Sequence, residues 1–268
     1  LQLDYTRGVI DMINLVKSEV RKILGKKSIL VLWALLLGFG FILIGDFEIL
    51  ETYADIFYKI EGTIPLIGLV MFIAISGNYT KEYESNMVGL INTTKNGKKY
   101  ITIAKAIAAG ISLSLINVSF TLLVGLKGFA FEGFKNLNDP IKKLWYFGNS
   151  GSEITVLQMY IIVLVSVTLG SFLFAQIGLT LSSAFKSATI PFILGGAIMA
   201  IPFLLQGFVS KSILNFVALT PNWVMMSQLM VRYQIPVLYR GLAVLISISL
   251  IILLPLVAYK NFTNSKRL

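Results

Sequence analysis

Side chains able to do acid, base or nucleophilic chemistry are scarce in this chain. Its 268 residues include no histidine and no cysteine. That removes the commonest general base, the commonest ligand of catalytic zinc, the thiolate nucleophile and every disulfide. No GxxxxGK[ST] motif occurs. Gly25-Lys26-Lys27-Ser28 and Gly97-Lys98-Lys99 carry lysines but lack the loop that would cradle phosphates. No pair of carboxylates falls within the apolar segments, so the usual acid, base and metal-binding groups of an embedded enzyme are missing. These gaps predict a protein that is not an enzyme, holds no metal and binds no cofactor of its own. A few isolated groups are left to carry function: Glu19, Lys22, Glu82, Glu84 and Lys105, and the amides Asn117 and Gln176.

Each of these groups is placed by a recognisable element. In 12–27, Met12, Ile13, Leu15, Val16, Val20, Ile23 and Leu24 share one half of a helical wheel, while Asn14, Lys17, Ser18 and Arg21 face away. This is a basic amphipathic helix lying flat at a membrane interface, ended by Gly25. Glu19 falls inside its apolar arc, and a carboxylate there needs a cation, from Lys22 or from another loop. A plain membrane anchor with a Glu19–Lys22 pair three residues apart is the simpler reading. In 78–100, Tyr83, Met87, Leu90 and Ile91 follow i, i+4, i+7, i+8 spacing, which predicts a short amphipathic helix over 82–91 before a polar turn at 92–97. It suits either a protein contact or an interfacial helix with no partner. Asn117 and Gln176 lie within apolar segments, where such groups join helices or line a translocation path.

Those segments define the fold class. Apolar residues make up 56% of the chain and charged ones 13%, about half the charge of a soluble domain, and the apolar residues come in long blocks. Six blocks, at 28–45, 63–79, 101–126, 154–181, 188–209 and 236–259, predict an all-α membrane protein with six transmembrane helices. The second is the shortest, with Pro65 in its first turn. Pro191, Pro202 and Gly195-Gly196 predict a kinked or broken fifth helix. The segment 211–235 is too polar to span and too apolar for free solvent; it reads as an outer re-entrant or interfacial hairpin, with Trp223 and Tyr233 at headgroup level. The loop 127–153, with Phe129, Phe131, Phe134, Trp145 and Tyr146, reads as packing at the outer interface.

With both termini cytoplasmic, 15 of the 23 lysines and arginines fall inside, and the 46–61 loop with Glu48, Glu51, Asp55 and Glu61 falls outside. The net charge of +10 is then basic loops beside anionic lipid, not a nucleic-acid surface. Met12 reads as a natural start, so 1–11 is taken as an upstream extension and 12–268 as one permease domain. The Lys-, Asn- and Ile-rich composition points to a bacterial cell membrane.

The order of these features carries a family resemblance. A basic amphipathic N-terminal helix with a Glu, a first span, an acidic outer loop and a second span lead into Lys81-Glu82-Tyr83-Glu84-Ser85-Asn86-Met87-Val88-Gly89-Leu90-Ile91. This resembles the type-2 permeases of ATP-binding-cassette (ABC) exporters, including those for peptide antibiotics and drugs. That family has an E-x-E/x-G-T-x-x-x-L segment there, a turn with Pro and Arg, and a Lys early in the third span. Glu82, Glu84, Leu90 and Lys105 sit at matching places; Asn86 stands for the usual Gly, Thr94 for the usual Pro, and Lys98 is nearest the basic residue after the turn. The resemblance implies that Glu82, Tyr83, Glu84, Met87, Leu90 and Ile91 form a coupling helix docking on a separate ATPase. It also implies that the helix with Glu19 and Lys22 borders that ATPase, that ATP and Mg sit on the ATPase, and that a second copy or a sister permease completes a dimer. The export of an antimicrobial peptide or drug, as in antibiotic resistance or bacteriocin immunity, follows from the same resemblance. The alternative is an ion-coupled secondary transporter or channel, disfavoured by the few ionisable residues in the spans.

Overall fold

The structure, a computed structural model, describes residues 2–45, 51–84, 97–148 and 150–263. Among the described residues it is all-helical, with a single isolated bridge, Pro140 to Thr155, in place of any strand. The helices are α1 (Gln2–Leu24), α2 (Lys27–Leu43), α3 (Thr52–Gly62), α4 (Ile64–Ile75), α5 (Thr80–Glu84), α6 (Gly97–Phe131), α7 (Val156–Ala184), α8 (Thr189–Leu205), α9 (Lys211–Val217), α10 (Pro221–Met225), α11 (Ser227–Arg232) and α12 (Val237–Thr263). Two 3-10 turns, Ile141–Lys143 and Trp145–Phe147, lie between α6 and α7.

Three helices, α6, α7 and α12, are long and apolar enough by themselves to cross a membrane. Two bent pairs qualify when each is taken as one span: α1 from Asp11 with α2, turned by 70°, and α3 with α4, turned by 44°. The apolar α8, at 17 residues, is shorter. Large side chains along α12 stand open, with Leu245, Ile252 and Leu253 all more than half exposed. An apolar surface of that extent is tolerated against lipid and not against water, so the chain is membrane-embedded.

Two expected boundaries move. The 46–62 stretch, read as a loop, is helical from Thr52, and Tyr53, Ala54, Ile56, Phe57 and Ile60 are buried along α3. Pro65 sits at the start of α4, where its missing N–H leaves no bond unmade. Of the expected kink or break in the fifth segment, the break is absent, since α8 runs on from Thr189 to Leu205. Pro191 lies in the first turn of α8, where its missing N–H costs no bond, whereas Pro202 lies inside the helix and removes one donor from its ladder without ending it. Gly195 is there for packing: a Cβ at that position would meet the Phe72 ring of α4 at 2.2 Å.

The 211–235 segment forms three short helices, and α10 packs on α7, α8 and α12. Trp223, predicted at the headgroups, is instead fully buried against Tyr233, with ring centroids 5.4 Å apart. The exposed aromatics nearby are Phe208 and Phe216. The 127–153 stretch is two-sided: Phe129, Tyr146 and Phe147 are buried, while Phe131, Phe134 and Trp145 are exposed.

Candidate functional site

The expected ionisable residues converge where α1 crosses the bundle. Along α1, Met12, Leu15, Val16, Val20 and Ile23 turn inward or partly inward, while Ile13 is exposed. Glu19 lies in the middle of this face and is buried. Its neutralisation comes from two sides. Lys22, one turn on, pairs with one carboxylate oxygen, and Lys105 of α6 reaches the other at 2.9 Å. The same ammonium pairs with Glu82 of α5 at 2.9 Å and donates to the Asn78 carbonyl at 3.3 Å. Only 3% of the Lys105 side chain is exposed, so it is a buried cation serving two carboxylates. Burial pushes the Glu19 carboxyl up, but Lys105 and Lys22 outweigh it and leave its pKa lowered. For Lys22, burial pulls the other way and Glu19 outweighs it, so its pKa is raised.

The chain breaks between α4 and α5 beside this cluster, and its orphan backbone groups find partners there. Lys26 donates to the Ala74 carbonyl at the end of α4, 3.2 Å away, where a cation also suits the helix dipole. The Tyr79 N–H donates to Ser182 Oγ of α7 at 3.0 Å. Tyr83 donates its hydroxyl to the Ser183 carbonyl at 3.0 Å, and burial pushes its pKa up to about 12. The rings of Tyr79 and Tyr83 both meet Phe262 near the end of α12, and Asn261 donates to Ser183 Oγ. Glu19, Lys22, Glu82, Tyr83 and Lys105 thus belong to one hub touching α1, α5, α6, α7 and α12. Glu84 lies in α5; Met87, Leu90 and Ile91 lie outside the described residues.

Asn117 and Gln176 are elsewhere, inside the bundle. Asn117, fully buried on α6, donates to Ser171 Oγ of α7 at 2.8 Å and to the Met71 sulfur of α4 at 3.1 Å. Gln176 of α7 donates to the Ala106 carbonyl of α6 at 3.0 Å. Each bridges helices, and each keeps a buried amide oxygen without a partner. Among the described residues no cluster of His, Cys, Asp or Glu could hold a metal ion.

A second hub, at the opposite end of the bundle, was not legible in advance. Glu61, at the end of α3, accepts from the Tyr146 hydroxyl, from Arg232 of α11 at 3.1 Å and from Gln206 after α8 at 2.9 Å. The Arg232 guanidinium lies over the Tyr146 ring, 4.3 Å from its centroid. Burial, reinforced by Glu61, pushes the Tyr146 phenol well above its ordinary pKa. The available signal was Arg232 itself, a guanidinium in a mostly apolar stretch, which demands a partner.

Between the hubs, α4 and α8 border an apolar cavity of about 170 Å³, lined by Ile64, Gly68, Phe72, Phe192, Met199 and Phe203 among others. Apolar helices with ion-paired ends define the class: a helical membrane protein. No family model, no curated protein and no solved structure matches this chain.

Proposed function

We propose that this chain is the membrane-spanning permease subunit of an ABC exporter, driven by ATP hydrolysed on separate ATPase subunits. The observation that carries this reading is the Glu19–Lys105–Glu82 network. It joins the base of α6 to the amphipathic N-terminal helix and the segment leading into 82–91, the two parts the resemblance assigns to the ATPase side. A push on 82–91 would reach α1 and α6 through buried ion pairs. Binding energy at a partner shifts an equilibrium only through contacts that differ between the two states, and this is a place for such contacts.

In this reading α2, α3–α4, α6, α7, α8 and α12 are six spans of a bacterial cell-membrane protein, with both termini and the Lys105 hub cytoplasmic and α9–α11 an outer re-entrant cap. The permease works as a dimer, with itself or a sister, and moves an amphipathic or lipophilic peptide or drug outward. The apolar cavity between α4 and α8 matches the apolar character of such a substrate, though at about 170 Å³ it holds only a small part of one. Co-purification with an ATPase tests the assembly. Glu82→Ala combined with Met87→Ala should uncouple export from ATP hydrolysis; unchanged assembly and export would refute the coupling role. Single cysteines at Ser85 and Asn138 should label from opposite sides.

One observation favours an ion-coupled carrier instead: buried carboxylates paired with cations at both hubs. Transport by the purified chain alone, in vesicles with no ATPase and an imposed ion gradient, would establish that reading and end the first.

A further inference from the structure

The outward surface of α7 and α12 carries two apolar cavities of about 480 and 290 Å³ that share Phe172, Ile251 and Ile252. The larger is lined by α7 and α12 and reaches up to Val165; the smaller adds Ile103, Ala106 and Ile107 of α6 and ends at Gln176 and Leu256. From Val165 to Gln176 the trough follows α7 for about 16 Å, at 1.5 Å per residue. No Lys, Arg, Asp or Glu lines either cavity. Thr168, on the upper wall, has its hydroxyl spent on the Leu164 carbonyl.

Gln176 is different. Its side chain is 97% buried on a fractional exposure of 3%, its Nε2 is committed to the Ala106 carbonyl, and its Oε1 has no donor. An amide oxygen left without a donor in an apolar setting is costly, and the cost is recovered only if a donor arrives from outside the chain. The last torsion of a glutamine is soft, so small rotations can bring Oε1 to a donor in the cavity. Water is disfavoured there, because the walls are otherwise apolar and a held water needs two or more polar partners.

We propose that this trough is a binding site for an uncharged long-chain lipid bearing a single hydroxyl. The chain lies along α7 and α12 over Phe172, and the hydroxyl donates to Gln176 Oε1. A charged headgroup is excluded, since nothing in the lining would compensate it. A plain alkane fits the walls but leaves Oε1 unpaired. The site shares no lining residue with the α4–α8 cavity and does not depend on the transport reading.

The test uses the full chain in phosphatidylcholine nanodiscs and two diazirine probes of equal length, a long-chain alcohol and the matching alkane. Photolabelling is mapped by mass spectrometry. The alcohol should label peptides covering 165–176 and 248–256 about five- to tenfold more than the alkane, the gain of one hydrogen bond in an apolar site. Gln176→Leu should bring the two probes to parity while keeping alkane labelling. Ile252→Trp, at a position open to lipid, fills the shared wall and should remove labelling by both. Equal labelling of the native chain overturns the proposal, as does an alcohol excess that survives Gln176→Leu. If Gln176→Leu fails to fold, an alcohol excess that survives Ile252→Trp overturns it equally.

Discussion

Lys105→Met keeps most of the side-chain length and deletes only the ammonium at the centre of the hub. The side-chain exposures are 3% for Lys105, 7% for Glu19 and 13% for Glu82, so the deleted charge and Glu19 are buried and Glu82 is largely covered. Removing one member of a buried pair costs about 3–5 kcal/mol, because the remaining charge is left uncompensated. Glu19 keeps Lys22, which argues for the low end, about 3 kcal/mol, or roughly a hundredfold in the folded-to-unfolded ratio. Lys22→Met is the internal reference. Its side chain is 59% exposed, and the loss of its charge should cost less than about 1 kcal/mol. Adding Glu82→Gln to Lys105→Met removes the carboxylate left without its cation and should restore about 1 kcal/mol or more, a coupling expected of residues in contact. Reversible denaturant titration in mild detergent, followed by tryptophan fluorescence, reads all four proteins. If Lys105→Met costs no more than Lys22→Met, or if Glu82→Gln deepens its defect, the hub is not an ion-paired unit.

At the opposite end, Glu61→Ala strands the Tyr146 hydroxyl and the Arg232 guanidinium, and should cost about 2–3 kcal/mol in thermal denaturation. Glu61→Gln, which keeps two acceptor sites, should cost less. Gly170→Val places a Cβ 2.4 Å from the Met225 Cβ and 2.7 Å from its Cα, and backbone cannot step aside as a side-chain tip can. A loss of about 1–3 kcal/mol is expected, with raised cysteine labelling in α10 as the cap lifts. The pH dependence of α1 docking follows from Glu19, whose pKa is lowered. Its stabilisation is present above the ordinary carboxylate value and lost as pH falls through the lowered one. Hydrogen-exchange protection of α1 should therefore hold from neutral pH through the ordinary carboxylate range and fail only below it, with Lys22→Met moving the failure upward. The raised pKa of Lys22 acts at the alkaline end, where its contribution fades as pH rises through the raised value.

Glu19 was legible because it breaks a pattern: one carboxylate inside an apolar arc must be answered by a cation. One answer, Lys22, lies within a turn and follows from helix geometry. The other, Lys105, is 86 residues away, and no local periodicity encodes a contact at that distance. The α3 helix was hidden because its acidic residues dominate a count of charges, although Tyr53, Ala54, Phe57 and Ile60 repeat at helical spacing. Composition sees the charges; only the angular arrangement shows that they share a helix with a buried face. In α8 the error ran the other way. Proline and glycine were taken as breakers, but Pro191 falls in the first turn, where a missing N–H costs nothing, the helix continues through Pro202, and Gly195 admits the Phe72 ring. Residue type names a set of possible roles, and the neighbours select one.

The distribution of polar contacts bears on how such a bundle would move. In mid-bundle the polar contacts between helices include hydrogen bonds such as Asn117 to Ser171 and to the Met71 sulfur, and Gln176 to Ala106, and interhelical bonds of this kind average about 0.6 kcal/mol in a membrane. At the ends stand multi-membered hubs, Lys105 with two carboxylates and Glu61 with three donors. Sliding or tilting helices past one another near the middle is therefore cheap, while parting them at a hub strands buried charge. Motion in a bundle built this way is expected to keep each hub intact and to change the packing between them, where α4 and α8 already enclose a cavity. In the proposed reading such a bundle is driven from one end. Glu82 and Lys105 make α5, α1 and the base of α6 one body, so a partner gripping 82–91 would move all three together. The soft middle of the bundle would then absorb the displacement.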